Sequence, residues 1–430
     1  MGNTLRVGVL GCGNVGAAVI RLLHDHAEDI ERRAGGPIEV TRVAVRERSR
    51  ARDVSLPSGA FVDDPVAVAE APDVDVVVEV MGGIEPARTA ILRAFERGKS
   101  VVTANKELLA TRGTELFEAA AAAGVDLLYE ASVGGGIPLV RPLRESLAGD
   151  RIIRFTGIVN GTTNYILTRM TEDGSSFPDA LAEAQRLGYA ERDPTADVEG
   201  VDTAAKAAIL ATIAFDLPVM VDDVPREGIS WIGPEDIAFA GRLGYVIKLV
   251  AIGEAVEGGV SVRVHPVMLP KEHPLASVRE SFNAVLIEGE KVGPVMLYGR
   301  GAGGDPTAVS VVGDLIELAR AEAALRATMI PPPGRATRSL VSLEGLPAQY
   351  YILMRVADRP GVLAAIALVF TEHLVSIKSV WQEGHGDEAQ IVLITHRAAE
   401  RALQACVRDL GLIDTVEAVA SVIRVEAGQP

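Results

Sequence analysis

The sequence predicts an α/β protein in three successive parts: a mostly parallel sheet wrapped by helices, an α+β middle, and a small βαββαβ module at the end. Three observations carry this. Through the first third, short β-branched runs alternate with Ala-rich amphipathic runs, the pattern of parallel strands joined by crossover helices. From about residue 151 longer strand-like runs take over. The string IPPPG at 330–334 cannot continue a helix and reads as a linker, after which the last part begins.

In the first part, the apolar run Leu5–Leu10 is a buried strand, 16–27 a helix and 39–45 a second strand. A third apolar run at 75–80 leads to a helix at 88–97. A strand at 100–103, a helix at 106–123 and a strand at 126–130 follow. The middle holds strands at 152–159, 249–254, 260–266, 283–289 and 294–299, with helices between them and a long helix over 306–327. In the last part, strands at 349–356, 375–383, 388–396 and 416–425 alternate with helices at 361–373 and 397–410.

The composition of the 430 residues, 48% hydrophobic and 23% charged, is that of a folded globular chain of two to four domains. A net charge of −16 repels phosphate backbones and anionic lipid, which argues against nucleic acid and membranes as partners. Any anionic cofactor needs a local cluster of donors working against that field. Two cysteines, Cys12 and Cys406, exclude a disulfide framework and a thiolate-rich zinc site. The N-terminus runs straight into a strand without an export signal, and no apolar stretch reaches membrane-spanning length. A soluble cytoplasmic protein is expected.

The sequence Gly11-Cys12-Gly13-Asn14-Val15-Gly16 follows a strand and opens a helix, the context in which GxGxxG binds a dinucleotide. Gly11 makes the tight turn, Gly13 lets a pyrophosphate approach backbone, and Gly16 permits close helix–strand packing. Asn14 and Val15 supply free N–H groups at the helix start. This makes the first part Rossmann-like. At the end of the second strand Arg46 favours NADP, but Glu47 beside it leaves NAD open.

The segment 188–206, GYAERDPTADVEGVDTAAK, is acidic and punctuated by Gly and Pro before it enters an Ala-rich helix. Asp202 and Lys206 are four apart and share a helix face. A lysine held beside a carboxylate can protonate the alkoxide that forms when an aldehyde is reduced. The same spacing is equally that of a routine surface ion pair.

This segment resembles the signature of the homoserine dehydrogenase family, with Arg192 standing where the family more often has proline. The resemblance implies that Glu191 and Asp202 bind the substrate, that Asp197 supports them, and that Lys206 is the proton donor, with Gly188 on the cofactor side. Further stretches are similar to the same family. Thr103-Ala104-Asn105-Lys106 would bring Thr103 and Lys106 to the nicotinamide. In 129–138, Glu130 with the carbonyls of Val133, Gly135 and Ile137 would hold a sodium ion, oxygen ligands that suit a hard cation. The stretch 157–167 matches a hinge-like element, and the glycine loop 299–303 would bring Gly303 to the cofactor. Which of Lys106 and Lys206 carries the proton stays open. The reaction implied is reversible NAD(P)H-dependent reduction of L-aspartate 4-semialdehyde to L-homoserine. A rival dehydrogenase that phosphorylates the semialdehyde would need a nucleophilic cysteine, and neither Cys12 nor Cys406 stands where one could serve.

On this resemblance residues 1–150, completed by 306–328, form the NAD(P)-binding domain and 151–305 the substrate-binding and dimerisation domain. Residues 329–348 are the linker. Residues 349–430, with DRPGVL between strand and helix, are similar to an ACT domain, a regulatory amino-acid-binding unit. That implies threonine as effector near Arg359 and Gly361, and a homodimer or homotetramer. A purely structural dimerisation module is the alternative, as is a non-catalytic amino-acid sensor on a Rossmann scaffold.

Overall fold

A computed structural model describes residues 4–320, 338–384 and 389–426. The IPPPG string, and the end of the helix expected at 306–327, lie outside the described residues. Six parallel strands build the first sheet: β1 (Leu5–Leu10), β2 (Ile38–Ala44), β3 (Phe61–Val62), β4 (Val76–Glu79), β5 (Ser100–Thr103) and β6 (Leu127–Leu128), in the order β3-β2-β1-β4-β5-β6. The order reverses between β1 and β4, so a crevice opens outside their carboxyl ends, where ligands bind such sheets. The strand expected at 126–130 is cut to two residues because the chain turns at Glu130–Ser132. The expected helix at 16–27 begins two residues earlier, at Asn14.

The middle contributes β7 (Ile152–Ile158), β8 (Tyr245–Val256), β9 (Gly259–Pro270), β10 (Phe282–Gly289) and β11 (Gly293–Arg300), all antiparallel to their neighbours among these five. The helix Gly304–Arg320 then returns to the first sheet. Its Ala308, Val311, Val312 and Leu315 share one apolar cluster with Val7 and Val9 of β1.

The last part adds a short pair, β12 (Pro347–Ala348) with β16 (Ala398–Ala399), and four longer strands: β13 (Tyr350–Val356), β14 (Ile377–Glu383), β15 (Gln390–Thr395) and β17 (Val416–Val425). With helices Val362–Glu372 and Glu400–Leu410 they make the βαββαβ unit, in spatial order β17-β13-β15-β14. The module does not stand free of the middle part. β17 pairs in parallel with β9 through Arg424↔Val267 and Val425↔Met268, so nine strands form one sheet, β11-β10-β7-β8-β9-β17-β13-β15-β14. One face of β13 (Tyr350, Ile352, Met354) packs beneath the module's own helices. The other face (Tyr351, Leu353) joins the main core, which also holds Ile237 and Ala240 of helix Pro234–Arg242.

At the end of helix Val362–Glu372, Leu374 adopts a left-handed conformation (φ 57°) and is 91% exposed. That conformation costs a residue bearing a Cβ roughly 1–2 kcal/mol, against which glycine's greater freedom when unfolded offsets roughly 0.4–1 kcal/mol. Leu374→Gly is therefore expected to raise the thermal midpoint slightly, by up to about 1 kcal/mol of stability. A fall in the midpoint on calorimetry would show that Leu374 makes a contact worth more than its strain.

Candidate active site

Lys106 opens the helix Lys106–Ala123 directly after β5, where Asn105 caps it by accepting the Leu108 N–H. This stations the Lys106 ammonium at the carboxyl end of the parallel sheet. Helix Val201–Phe215 carries Asp202 and Lys206 on one face, one turn apart. The two segments meet at one carboxylate. Asp202 Oδ1 lies 2.7 Å from Lys106 Nζ, and Asp202 Oδ2 lies 2.7 Å from Lys206 Nζ. Lys206 also donates to the Val159 carbonyl at the end of β7, at 2.7 Å. Asp202 and Lys206 are buried and Lys106 is half-buried.

Burial disfavours every charge here, and the neighbours decide the outcome. Burial pushes Asp202 up, but Lys206 and Lys106 outweigh it and hold the carboxyl well below the usual range. Burial pulls Lys206 down, Asp202 opposes it, and the like charge of Lys106 leaves it below an ordinary lysine. Burial also acts on Lys106, but Asp202 and then Asp197 overcome it and hold it above an ordinary lysine. Two lysines on one carboxylate are thus driven apart.

Asn160 is a residue of this site that the sequence reading did not assign. Its Nδ2 donates to Asp202 Oδ2 at 2.8 Å and to Asp197 Oδ1 at 2.6 Å, while its Oδ1 accepts the Thr163 N–H and caps helix Gly161–Asp173. Asn before a Gly-Thr-Thr helix start is a capping signal, but capping alone does not reveal what the amide N–H groups reach. Burial raises Asp197, Asn160 opposes that, and the charge of Asp202 raises it again, for a net rise.

Glu191, by contrast, is exposed and stands apart from this cluster; its backbone is held where Gln185 Nε2 donates to its carbonyl at 3.0 Å. Gly188, also exposed, takes a left-handed turn (φ 80°) just past helix Phe177–Arg186. Thr103 is fully buried, with its hydroxyl donating to Glu79 Oε2 at 2.6 Å and accepting the Asn105 N–H at 3.0 Å. It therefore positions Asn105, and through it the start of the Lys106 helix.

Each glycine of the first loop has a visible reason. A Cβ on Gly16 would lie 2.1 Å from the Gly11 carbonyl oxygen, whereas nothing stands within 4 Å of one on Gly13. Backbone is thus packed on one side and open on the other, which is what close approach of a ligand requires. Gly303, in the second loop, is left-handed (φ 126°), and a Cβ on the next residue, Gly304, would lie 2.8 Å from the Asn14 carbonyl oxygen. The second loop therefore lies against the first. Arg46 is exposed just past β2. Burial raises the Cys12 thiol, and the charges of two further arginines, Arg52 and Arg21, work against it. Arg52 closes the run RERSRAR at 46–52, past the strand's end, where no period assigns a side chain its direction.

Glu130 is buried and accepts the N–H groups of Leu139 (2.6 Å), Val140 (2.9 Å) and Arg141 (2.7 Å). The Gly135 carbonyl accepts the Ser310 hydroxyl at 2.6 Å, and Val133 and Ile137 are buried beside them. Glu130 shares its surroundings with Asp314, whose carboxyl burial and the Glu130 charge push up to about 8 despite Arg141 at 2.7 Å. Arg359 and Gly361 lie in an exposed loop before helix Val362–Glu372, with Gly361 left-handed (φ 94°). Among the described residues no helix is long and apolar enough to cross a membrane.

A parallel sheet of this order, a glycine turn at its switch point and a lysine–carboxylate cluster outside its strands define an NAD(P)-dependent oxidoreductase. Comparison with known proteins agrees. The family model described as "Homoserine dehydrogenase, NAD binding domain" matches residues 11–130, and "Homoserine dehydrogenase" matches residues 138–316. A homoserine dehydrogenase of Mycobacterium tuberculosis is 50% identical over 98% of this chain and 97% of its own. The crystal structure of a homoserine dehydrogenase from Thiobacillus denitrificans superposes with a TM-score of 0.94 at 41% identity, covering 99% of this chain and 98% of that one. A hyperthermophilic archaeal homoserine dehydrogenase in complex with NADPH matches at 26% identity and a TM-score of 0.62, over 76% of this chain and 100% of that one. The chain belongs to the homoserine dehydrogenase family.

Asn160 tests the geometry. Asn160→Ala removes a cap worth about 1 kcal/mol and both hydrogen bonds to the acidic pair. The expected result is a modest fall in thermal midpoint with a fall in kcat of tenfold or more. An unchanged kcat in a folded variant would mean that Asp202 needs no support beyond the lysines.

Proposed function

We propose that this chain catalyses the reversible NAD(P)H-dependent reduction of L-aspartate 4-semialdehyde to L-homoserine, with Lys206 as proton donor. The observation that carries the proposal is the Lys106–Asp202–Lys206 triplet, its Asp202 and Lys206 buried, outside the carboxyl ends of the parallel strands. The dinucleotide, when bound, supplies or accepts the hydride. The backbone of Gly11, Gly13, Asn14, Val15 and Gly16 would hold its pyrophosphate. Arg46, with Arg52 nearby, favours NADP and leaves NAD in use as well.

The two lysines divide the work. Lys206 is the one whose proton burial and a like charge make easier to give up, so it protonates the oxygen of the semialdehyde in reduction and takes that proton back in oxidation. Lys106 keeps its charge and stabilises the developing alkoxide. Asp202 fixes both ammonium groups and Asp197 supports it, Glu191 would meet the substrate ammonium from its exposed segment, and Gly188 and Gly303 flank the cofactor. Glu130 with the carbonyls of Val133, Gly135 and Ile137 would take a sodium ion, an all-oxygen donor set that suits one.

The same reading assigns 1–150 with 306–328 to cofactor binding, 151–305 to substrate binding and dimerisation, and 349–430 to threonine-responsive regulation as an ACT domain. The strand order β17-β13-β15-β14 and the exposed loop at Arg359 and Gly361 support the last. Strand β11, an edge with Met296 and Tyr298 exposed on one face, supports assembly as a homodimer or homotetramer.

Homoserine-dependent reduction of NADP and NAD is the direct test, and turnover with neither would overturn the reading. Lys206→Met is expected to lower kcat by roughly 10²–10⁴-fold, the usual range for a general acid–base, while dinucleotide affinity is unchanged. Retained turnover reassigns the proton. The pH profile has a definite sign. Homoserine oxidation needs Lys206 neutral, so kcat/KM should rise with pH through a value below the lysine reference of about 10.4. Asp202→Asn removes the anion that holds the Lys206 proton, so the inflection should move further to the acid side. A move to the alkaline side would rule out Lys206 as the titrating group.

A further inference from the structure

Glu79, the last residue of β4, is fully buried, and no lysine, arginine or histidine pairs with it among the described residues. A buried carboxyl is costly unless partners satisfy it. Burial pushes the Glu79 carboxyl up, and hydrogen bonds from Thr103, Met81 and Gly82 act against that. The residue stands at the carboxyl end of β4, beside β1, where the strand order reverses.

Its hydrogen bonds close a ring. Oε1 accepts the N–H groups of Met81 at 2.8 Å and Gly82 at 3.2 Å, and Oε2 accepts the Thr103 hydroxyl at 2.6 Å. From Oε2 the ring continues through Thr103 Oγ1, which accepts the Asn105 N–H at 3.0 Å. From Oε1 it continues through the turn at Met81–Gly83, where left-handed Gly82 (φ 74°) and Gly83 (φ 73°) bend the chain back. The Gly83 carbonyl then accepts from Asn105 Nδ2 at 2.7 Å. Both arms end on Asn105. Its remaining group, Oδ1, accepts the Leu108 N–H at 3.1 Å and caps the helix whose first residue is Lys106. Backbone adds a third tie, from the Ala104 N–H to the Glu79 carbonyl at 3.1 Å.

Lys106 is the member of the triplet that needs such a hold. Asp202 and Lys206 sit one turn apart on one helix, whereas Lys106 comes from another part of the chain and is half-buried. Its side chain is long and flexible, so the position of its helix start sets how near its ammonium comes to Asp202. We infer that Glu79 is a positioning residue for Lys106: its carboxyl closes the ring that fixes Asn105 and, with it, the start of the Lys106 helix. The consequence for pH rests on the reading of Lys206 as the titrating base given above. The charged groups that face Lys206 are Asp202 on its own helix, Lys106 from the helix after β5, and Asp197 from the segment before. The two carboxylates hold the Lys206 proton, and the like charge of Lys106 loosens it. If Lys106 withdraws, Lys206 keeps its proton to higher pH. The inflection in homoserine oxidation then moves to the alkaline side, opposite to the shift expected of Asp202→Asn.

The test compares Glu79→Ala, Glu79→Gln and Thr103→Val in the full chain. Glutamine keeps the ring: its oxygen accepts from Met81 and Gly82, and its amide donates to Thr103 Oγ1, which can still accept the Asn105 N–H. Alanine removes both arms. Thr103→Val cuts one arm and leaves the other, so it serves where the alanine variant fails to fold. In the Ala and Val variants, amide hydrogen exchange over 105–109 should quicken by about tenfold. Their kcat for homoserine oxidation should fall by roughly 10–10²-fold, and the inflection in kcat/KM should move to the alkaline side. Glu79→Gln should match the parent chain in all three. Unchanged exchange overturns the proposal. So does a glutamine variant as impaired as the alanine one, which would give the role to charge and not to the ring. If exchange quickens and the inflection stays, while Asp202→Asn still moves it, the ring steadies the helix without placing Lys106, and the proposal falls. If Asp202→Asn does not move the inflection either, the reading of Lys206 fails, and exchange with the fall in kcat decides on Glu79.

Discussion

The interaction on which the rest of the molecule depends is the carboxylate of Asp202 held between two ammonium groups. One comes from the parallel sheet, through Lys106 at the end of β5; the other comes from Asp202's own helix, and Val159 at the end of β7 accepts from it. Three chain segments far apart in sequence are thereby fixed to within hydrogen-bonding distance of one point. Removing one member of a buried ion pair costs about 3–5 kcal/mol because its partner stays buried without compensation. Here the loss would be heavier in kind, since two like charges would face each other. The arrangement that suits proton transfer is therefore also the joint between the two sheets.

A second joint is made of backbone. A Cβ on Gly135 would lie 2.5 Å from the Gly301 carbonyl oxygen, and one on Gly136 would lie 2.8 Å from Cβ of Pro306. Such approaches tolerate no side chain. They bring the start of helix Gly304–Arg320 against the loop that follows β6, and Asp314 on that helix accepts the Glu130 N–H at 3.0 Å while Arg141 pairs with Asp314 and with Glu317 at 2.9 Å. Charge fastens the first joint, and close-packed glycine begins the second.

These features were unequally legible in the sequence. The strand–helix alternation and the glycine loop were plain, because their periodicity and turn chemistry are local. Asp202 and Lys206 were legible as an i,i+4 pair, but spacing said nothing of burial, and burial is what separates this pair from a surface one. Lys106 is 96 residues from Asp202 by subtraction of their numbers, and no local pattern could join them. Asn160 showed only its capping half. Arg52 was hidden for a different reason: it lies in an irregular loop, where no period assigns a direction to a side chain.

The last part of the chain shows where a local reading misleads. Tyr350–Val356 reads YYILMRV, apolar at both odd and even positions, and five of its first five residues are buried. A strand with one solvated face alternates; a strand apolar on both faces is covered on both. The sequence therefore already held the signal that something besides the module's own two helices packs on this sheet. In the structure that partner is the main core together with helix Pro234–Arg242, where Asp236 accepts the Ser421 hydroxyl and Arg242 meets Glu383 at 2.7 Å. Among the described residues only two residue pairs join β17 to β9, so the strand junction alone is a weak hold. The buried second face is what makes the module part of the enzyme's core.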